Sequence, residues 1–280
     1  MIETLTLPFQ LPFLRDALIA ALLVAVPCGL LSAFLVLKGW SLIGDAISHA
    51  VLPGVVLAYV LGLPLIIGAF VAGMGSALLT GWLDTHSRVK RDTLMGVVFA
   101  GMFAVGLVAI TWIAPEVHLD HILFGNLLGI SAAELWTAGT IAAVILAIMG
   151  LRWRDFLLHA FDPTQARAAG LRVKWLHNGL LAMISAAVVS ALGAVGIILV
   201  IALLVTPGAT AFLVTRRFGA MLLASVGVAA ASAIGGLYLS IALDSAPAAT
   251  IVVVLTGFFL AALAWRSSKR ALHPAAGRKD

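Results

Sequence analysis

Three long stretches of the chain, from Asp92 to Leu151, from Trp175 to Thr215 and from Phe218 to Trp265, contain no lysine or arginine. Within them apolar residues follow one another without the every-other-residue alternation of a barrel strand. A helix needs roughly 20 apolar residues to cross about 30 Å of hydrocarbon. On that measure the pattern predicts spanning helices over 15–37, 42–61, 64–83, 93–113, 132–150, 177–193, 196–214, 219–242 and 248–265. Backbone in lipid must satisfy its own hydrogen bonds, so the fold class is all-α, a polytopic transmembrane bundle of eight to nine membrane-spanning helices.

The basic residues between the runs set the orientation. Arg88, Lys90 and Arg91 form one group, Arg152 through Lys174 a second, Arg216 and Arg217 a third, and the tail from Arg266 a fourth. The positive-inside bias puts all four in the cytoplasm. Counting back from a cytoplasmic C-terminus gives nine spans and an external N-terminus. Eight spans result if Pro27 and Gly29 break the first run into a re-entrant piece, or if Gly193 and Gly196 interrupt the stretch from His177 to Val214 without completing two crossings. The chain then divides into an N-terminal segment (1–14), a transmembrane domain (15–265) with a cytoplasmic connector at about 151–175, and a basic tail (266–280).

Composition agrees with this reading. Of 280 residues 62% are hydrophobic and 10% charged, and the mean hydropathy is +1.15, far above a soluble domain. The net charge of +5 raises the question of nucleic acid, but the positive-inside bias already accounts for it. Glu3 precedes the first basic residue, Arg15, and the following apolar run is as long as a full span, so a retained first helix rather than a cleaved signal is expected. Cys28 is the single cysteine. An internal disulfide and a multi-thiolate metal cage are both excluded.

Polar residues inside the apolar runs are few, and one group stands out. Ser41 to Gly54 reads SLIGDAISHAVLPG and places Asp45 four residues before His49. At that spacing the two side chains share a helical face and can converge on one point. Either they satisfy each other by hydrogen bonding, or they ligate a metal; ionisable groups at membrane depth mark pathways. Asp45 lies only about 5 Å along the axis from Leu42, so a mid-depth site requires the Lys38–Trp40 turn to be buried. Pro53 and Gly54 one turn on, and Pro207 and Gly208 in a later run, are candidate kinks or gates.

Two loops carry further candidates. The outward segment APEVHLDHILFGNLLGIS holds Glu116, His118, Asp120 and His121, an entry path for a cation or a solvated loop. The inward segment FDPTQARAAGL opens with Asp162 as N-cap and Pro163 at the first helical position, and Gly170 ends it. That predicts a short exposed helix, either a surface connector or an offering to a partner protein. His86, His159, His177 and His273 are not assigned to metal. Trp40, Trp82, Trp153, Trp175 and Trp265 stand near expected interfaces, as belt aromatics do.

SLIGDAISHAVLPG, DHILFGNLLGIS, FDPTQARAAGL and VGIILVIALLVTPGATA, in that order, resemble the membrane permease subunit of ATP-binding-cassette importers for manganese, iron and zinc. The resemblance covers the chain from about Phe13 to Trp265. It implies a second copy of the chain, a cytoplasmic ATPase dimer, an extracytoplasmic metal-binding protein and a bacterial plasma (inner) membrane location. It also implies that Asp45 and His49 coordinate the metal between two copies, and that Asp162, Pro163, Gln165, Ala166, Gly170 and Leu171 form a coupling helix docked on the ATPase. No G-x-x-x-x-G-K-[ST] loop occurs, so the chain is expected to be no enzyme itself and to hold no permanent cofactor. The cargo expected is Mn2+ or Fe2+, because HILFGN is similar to that branch of the family, with zinc as the alternative. An ion-coupled carrier using Asp45 and His49 as a relay, and an intramembrane metalloenzyme, are the competing functions.

Overall fold

The structure is a computed structural model that describes residues 11–113, 125 and 127–272, with side chains through residue 269. Its helices are α1 (Pro12–Lys38), α2 (Ile43–Ala50), α3 (Leu52–Val60), α4 (Leu65–His86), α5 (Arg91–Ile113), α6 (Ala132–Phe161), α7 (Pro163–Ala168), α8 (Val173–Val214), α9 (Phe218–Leu243) and α10 (Pro247–Leu272). A single turn of 3-10 helix stands at Leu127–Gly129. Among the described residues eight helical stretches are long and apolar enough to cross a membrane, α2 and α3 together making one of them.

The bundle is built around α1, which is buried along most of its length. Ala17, Ala20, Ala21, Ala25 and Gly29 line it, and such small residues let neighbouring backbones approach where no hydrophobic force drives helices together. A Cβ on Gly29 would lie 2.7 Å from that of Ala229 on α9, and the Ser225 hydroxyl donates to the Gly29 carbonyl across the same contact. The break considered at Pro27 and Gly29 is therefore absent, and α1 runs through both. Gly39, at φ 66°, ends the helix in the left-handed conformation.

The stretch from His177 to Val214 resolves the count of spans. α8 has 42 residues, about 63 Å if straight, twice the hydrocarbon thickness. Gly196 interrupts it with φ 78° and ψ 168°. Near its start, a Cβ on Gly179 would lie 3.8 Å from the Phe156 ring; Phe156 stands 6.5 Å from Phe34, and Phe34 stands 4.9 Å from Phe218, just past the end of α8. A straight helix would hold Gly179 and Phe218 about 58 Å apart. The chain thus goes out along 173–195, reverses at Gly196 and returns along 197–214. Gly125 backs onto the reversal: a Cβ there would meet the Gly196 nitrogen at 2.3 Å. The out-and-back limb supplies two of the nine crossings expected from the charge pattern.

Two details differ from expectation. The helix expected over 132–150 runs on to Phe161, so the first part of the 151–175 connector is helical. Past the apolar run Arg152 pairs with Asp155 at 3.3 Å, and Phe156 and His159, further along the same stripe of the helix, are buried. Trp40 is no belt aromatic, since only 4% of it is exposed and the Lys38 and Arg91 cations lie 4.6 and 4.5 Å from its ring centroid. Large apolar side chains such as Val97, Val105, Trp112, Trp136 and Leu223 are exposed on the outer helices, where lipid is the solvent.

Candidate metal centre

α2 is positioned by its small residues. Gly44 lets it lie against the returning limb of α8, where a Cβ would meet Leu204 at 2.8 Å. Ile47 reaches Gly73 of α4, and a Cβ there would approach it at 3.0 Å. The Ser48 hydroxyl folds back on the Gly44 carbonyl at 2.8 Å. With Gly44, Ile47 and Ser48 turned into the bundle, Asp45 and His49 are carried on another face. The Asp45 carboxylate also lies in the first turn of α2, where the helix dipole favours negative charge.

His49 Nε2 stands 3.3 Å from Asp45 Oδ1, with 29% of the histidine and 32% of the aspartate side chain exposed. Two donors bound to one transition metal at about 2.1 Å are separated by roughly 3.0 Å at a right angle and 3.4 Å at a tetrahedral one. The observed distance falls inside that window without rearrangement. The His49 ring stacks on Phe99 at 5.5 Å and meets Phe103 edge-on at 5.3 Å, so α5 fixes its plane. Among the described residues no third His, Cys, Asp or Glu joins the pair. Two donors from one chain fall short of a full coordination sphere.

The aromatic contacts also give the level of His49 along α5. α5 has 23 residues, about 34 Å, and Phe99 and Phe103 lie about 12 and 18 Å from its start at Arg91. His49 is therefore level with the middle of α5. The condition of a buried turn before α2 is met at Trp40 alone, which is buried, while Gly39, Ser41 and Leu42 are exposed.

The remaining candidates fall elsewhere. Glu116, His118, Asp120 and His121 lie outside the described residues. Pro53 and Gly54 sit at a helix crossing, where a Cβ on Gly54 would be 2.1 Å from the Gly68 carbonyl oxygen and the reverse holds for Gly68. Pro207 and Gly208 lie against α1: the Ser32 hydroxyl accepts the Gly208 N–H at 2.9 Å and donates to the Val205 carbonyl at 3.2 Å. In the connector, Asp162 caps α7 by accepting from the N–H groups of Thr164 and Gln165 at 2.8 and 3.0 Å. Gly170 at φ 80° ends that segment, Leu171 donates back to the Ala166 carbonyl, and Ala166 alone on α7 is buried.

Comparison with known proteins follows the same lines. The model of the ABC 3 transport family matches residues 10–266. The chain belongs to that family. It is 49% identical over 265 residues to the "Probable iron transport system membrane protein" of Haemophilus influenzae, covering 95% of this chain and 98% of the relative. With the "Manganese transport system membrane protein MntB" of Synechocystis it shares 45% over 256 residues, 91% and 84% of the two chains. Among solved structures, PsaBC from Streptococcus pneumoniae in complex with Fab is similar with a TM-score of 0.85 at 34% identity, covering 94% of this chain and 95% of that one.

Sequence reasoning did not find Phe99 and Phe103 as the walls of the histidine, although two aromatics at i and i+4 in an uncharged run are a readable signal. Nor did it group Lys38, Trp40, Arg91, His159 and His177, which the fold brings together at the end of the bundle that carries α7.

Proposed function

We propose that this chain is the transmembrane permease of an ATP-binding-cassette importer that moves a divalent transition metal, manganese or ferrous iron, into the cytoplasm. Family membership supports the class, and relatives named for manganese and iron transport support the cargo. ATP is hydrolysed on a separate chain, so the energy enters from outside this subunit. An ion-coupled carrier is not favoured by that membership.

The observation that supports the site is the Asp45–His49 pair, 3.3 Å apart and partly exposed, beside Phe99 near the middle of α5. A second copy facing it across a two-fold axis would bring two carboxylates and two imidazoles to one cation. Oxygen and nitrogen donors of this kind bind manganese, ferrous iron and zinc in rising order of affinity. The connector from Asp162 to Leu171 is the part that meets the ATPase, and an external metal-binding protein delivers the ion.

The test is uptake of radioactive manganese into proteoliposomes holding the permease, its ATPase and its metal-binding protein. Asp45→Ala and His49→Ala are each expected to abolish accumulation while ATPase assembly persists. Normal accumulation by either variant overturns the site assignment, and accumulation without the ATPase overturns the class.

A further inference from the structure

A cavity of about 650 Å³ opens between α7, the start of α8 and the cytoplasmic ends of α1, α4, α5 and α6. Lys38, Arg91, Arg167 and Lys174 line it together with His159 and His177, and no aspartate or glutamate is among its described lining residues. Outside this lining, Asp84 pairs with Arg91 at 3.9 Å. Lys38 and Arg91 lie 4.6 and 4.5 Å from the Trp40 ring centroid, so two like charges are within about 9 Å of each other in a half-buried setting.

The donors here outnumber the acceptors. Lys38 Nζ lies 3.4 Å from His159 Nε2; an ammonium can only donate, so Nε2 accepts and the ring proton of neutral His159 sits on Nδ1. That Nδ1–H is buried without a partner, as is the Nε–H of Arg91, and the His159 residue is only 2% exposed. Buried donors left unpaired cost stability, and a cluster of them beside cations of which, among the described residues, Arg91 alone has an acidic partner calls for an anionic acceptor. A metal cation cannot fill this cavity, because four positive side chains line it.

We propose that this cavity is an anion site for a phosphate group at the cytoplasmic edge of the membrane. A phosphate offers several acceptor oxygens to Lys38, Arg91, His159, Arg167 and Lys174 at once, and basic pockets between helices at the cytoplasmic face hold lipid headgroups in this way. The group is carried by an anionic phospholipid or arrives as free phosphate. When bound it joins Arg167 of α7 to Lys38 and Arg91 at the ends of α1 and α5, and so fixes the connector to the bundle. The inference is independent of the metal assignment, since it uses none of the same residues.

The full-length permease is purified in a neutral detergent and offered either phosphatidylglycerol or phosphatidylcholine, with retained lipid read by native mass spectrometry. In parallel, inorganic phosphate is titrated and thermal protection is measured. The Arg167→Gln, Lys174→Gln double variant changes only exposed side chains, so its fold is expected to survive; Lys38→Gln is the second variant. Retention of phosphatidylglycerol at least tenfold over phosphatidylcholine, reduced at least fivefold in both variants, supports the site with lipid as the source. Protection by phosphate that both variants lose supports it with free phosphate as the source. Binding of neither probe, or binding that both variants leave unchanged, overturns it.

Discussion

Gly54→Ala separates a moving gate from a fixed helix crossing. The added Cβ would stand 2.1 Å from the Gly68 carbonyl oxygen and 2.5 Å from the Ala72 Cβ. Ordinary contact begins near 3.4 Å, and the obstacle is backbone, so α3 and α4 must part by roughly 1 Å. Overpacking of this kind costs about 1–3 kcal/mol, which should lower the thermal midpoint of the purified permease by several degrees. Gly75→Ala is the control, on the same α4 but with nothing within 4 Å of the added atom; it should be neutral or stabilising by up to about 1 kcal/mol of helix propensity. The assay is size-exclusion survival after heating, scored beside manganese uptake. A Gly54→Ala variant as heat-stable as the control, yet dead in transport, would refute the packing account and restore the gate.

Three further outcomes are expected. His49→Gln takes the imidazole away and should weaken manganese binding; an unchanged affinity, measured by calorimetry on the assembled complex, would remove His49 from the ligand set. Asp162→Ala deletes a cap worth about 0.5–2 kcal/mol and should lower ATPase stimulation by the permease while uptake-site metal binding stays intact, measured by calorimetry on the assembled complex. Ser32→Ala leaves the Gly208 N–H without its hydroxyl acceptor and should destabilise by about 0.6–1.7 kcal/mol, the range of polar contacts between membrane helices, read as a lower midpoint in the same heating assay.

Much of the path through the membrane was legible because lipid leaves a chain few choices: uncharged runs must be helices, and basic loops face inward. The glycines at 193 and 196 marked the reversal, and Asp45 with His49 stood out as the ionisable pair of an apolar run. The surroundings of Trp40 were not legible. Nothing in Lys38–Trp40 announces that the indole is buried, because that follows from Trp40 packing under a cation contributed by Arg91, fifty residues on. The basic cavity was hidden for the same reason: residues 38, 91, 159 and 177 come from four elements, and no spacing rule links them. Gly54 read as the partner of a proline kink, while its position is set by Gly68, which only the fold brings near.

The two-donor Asp45–His49 pair carries a consequence for how cargo is let go. If the pair is the metal site proposed above, a lone protomer would present too few donors to satisfy an ion that prefers four or more neighbours, and would make a poor trap. With the other half of the cage on a twin, release would become a mechanical act: sliding the two apart would dismantle the cage, and water would reclaim the ion with no proton or electron consumed.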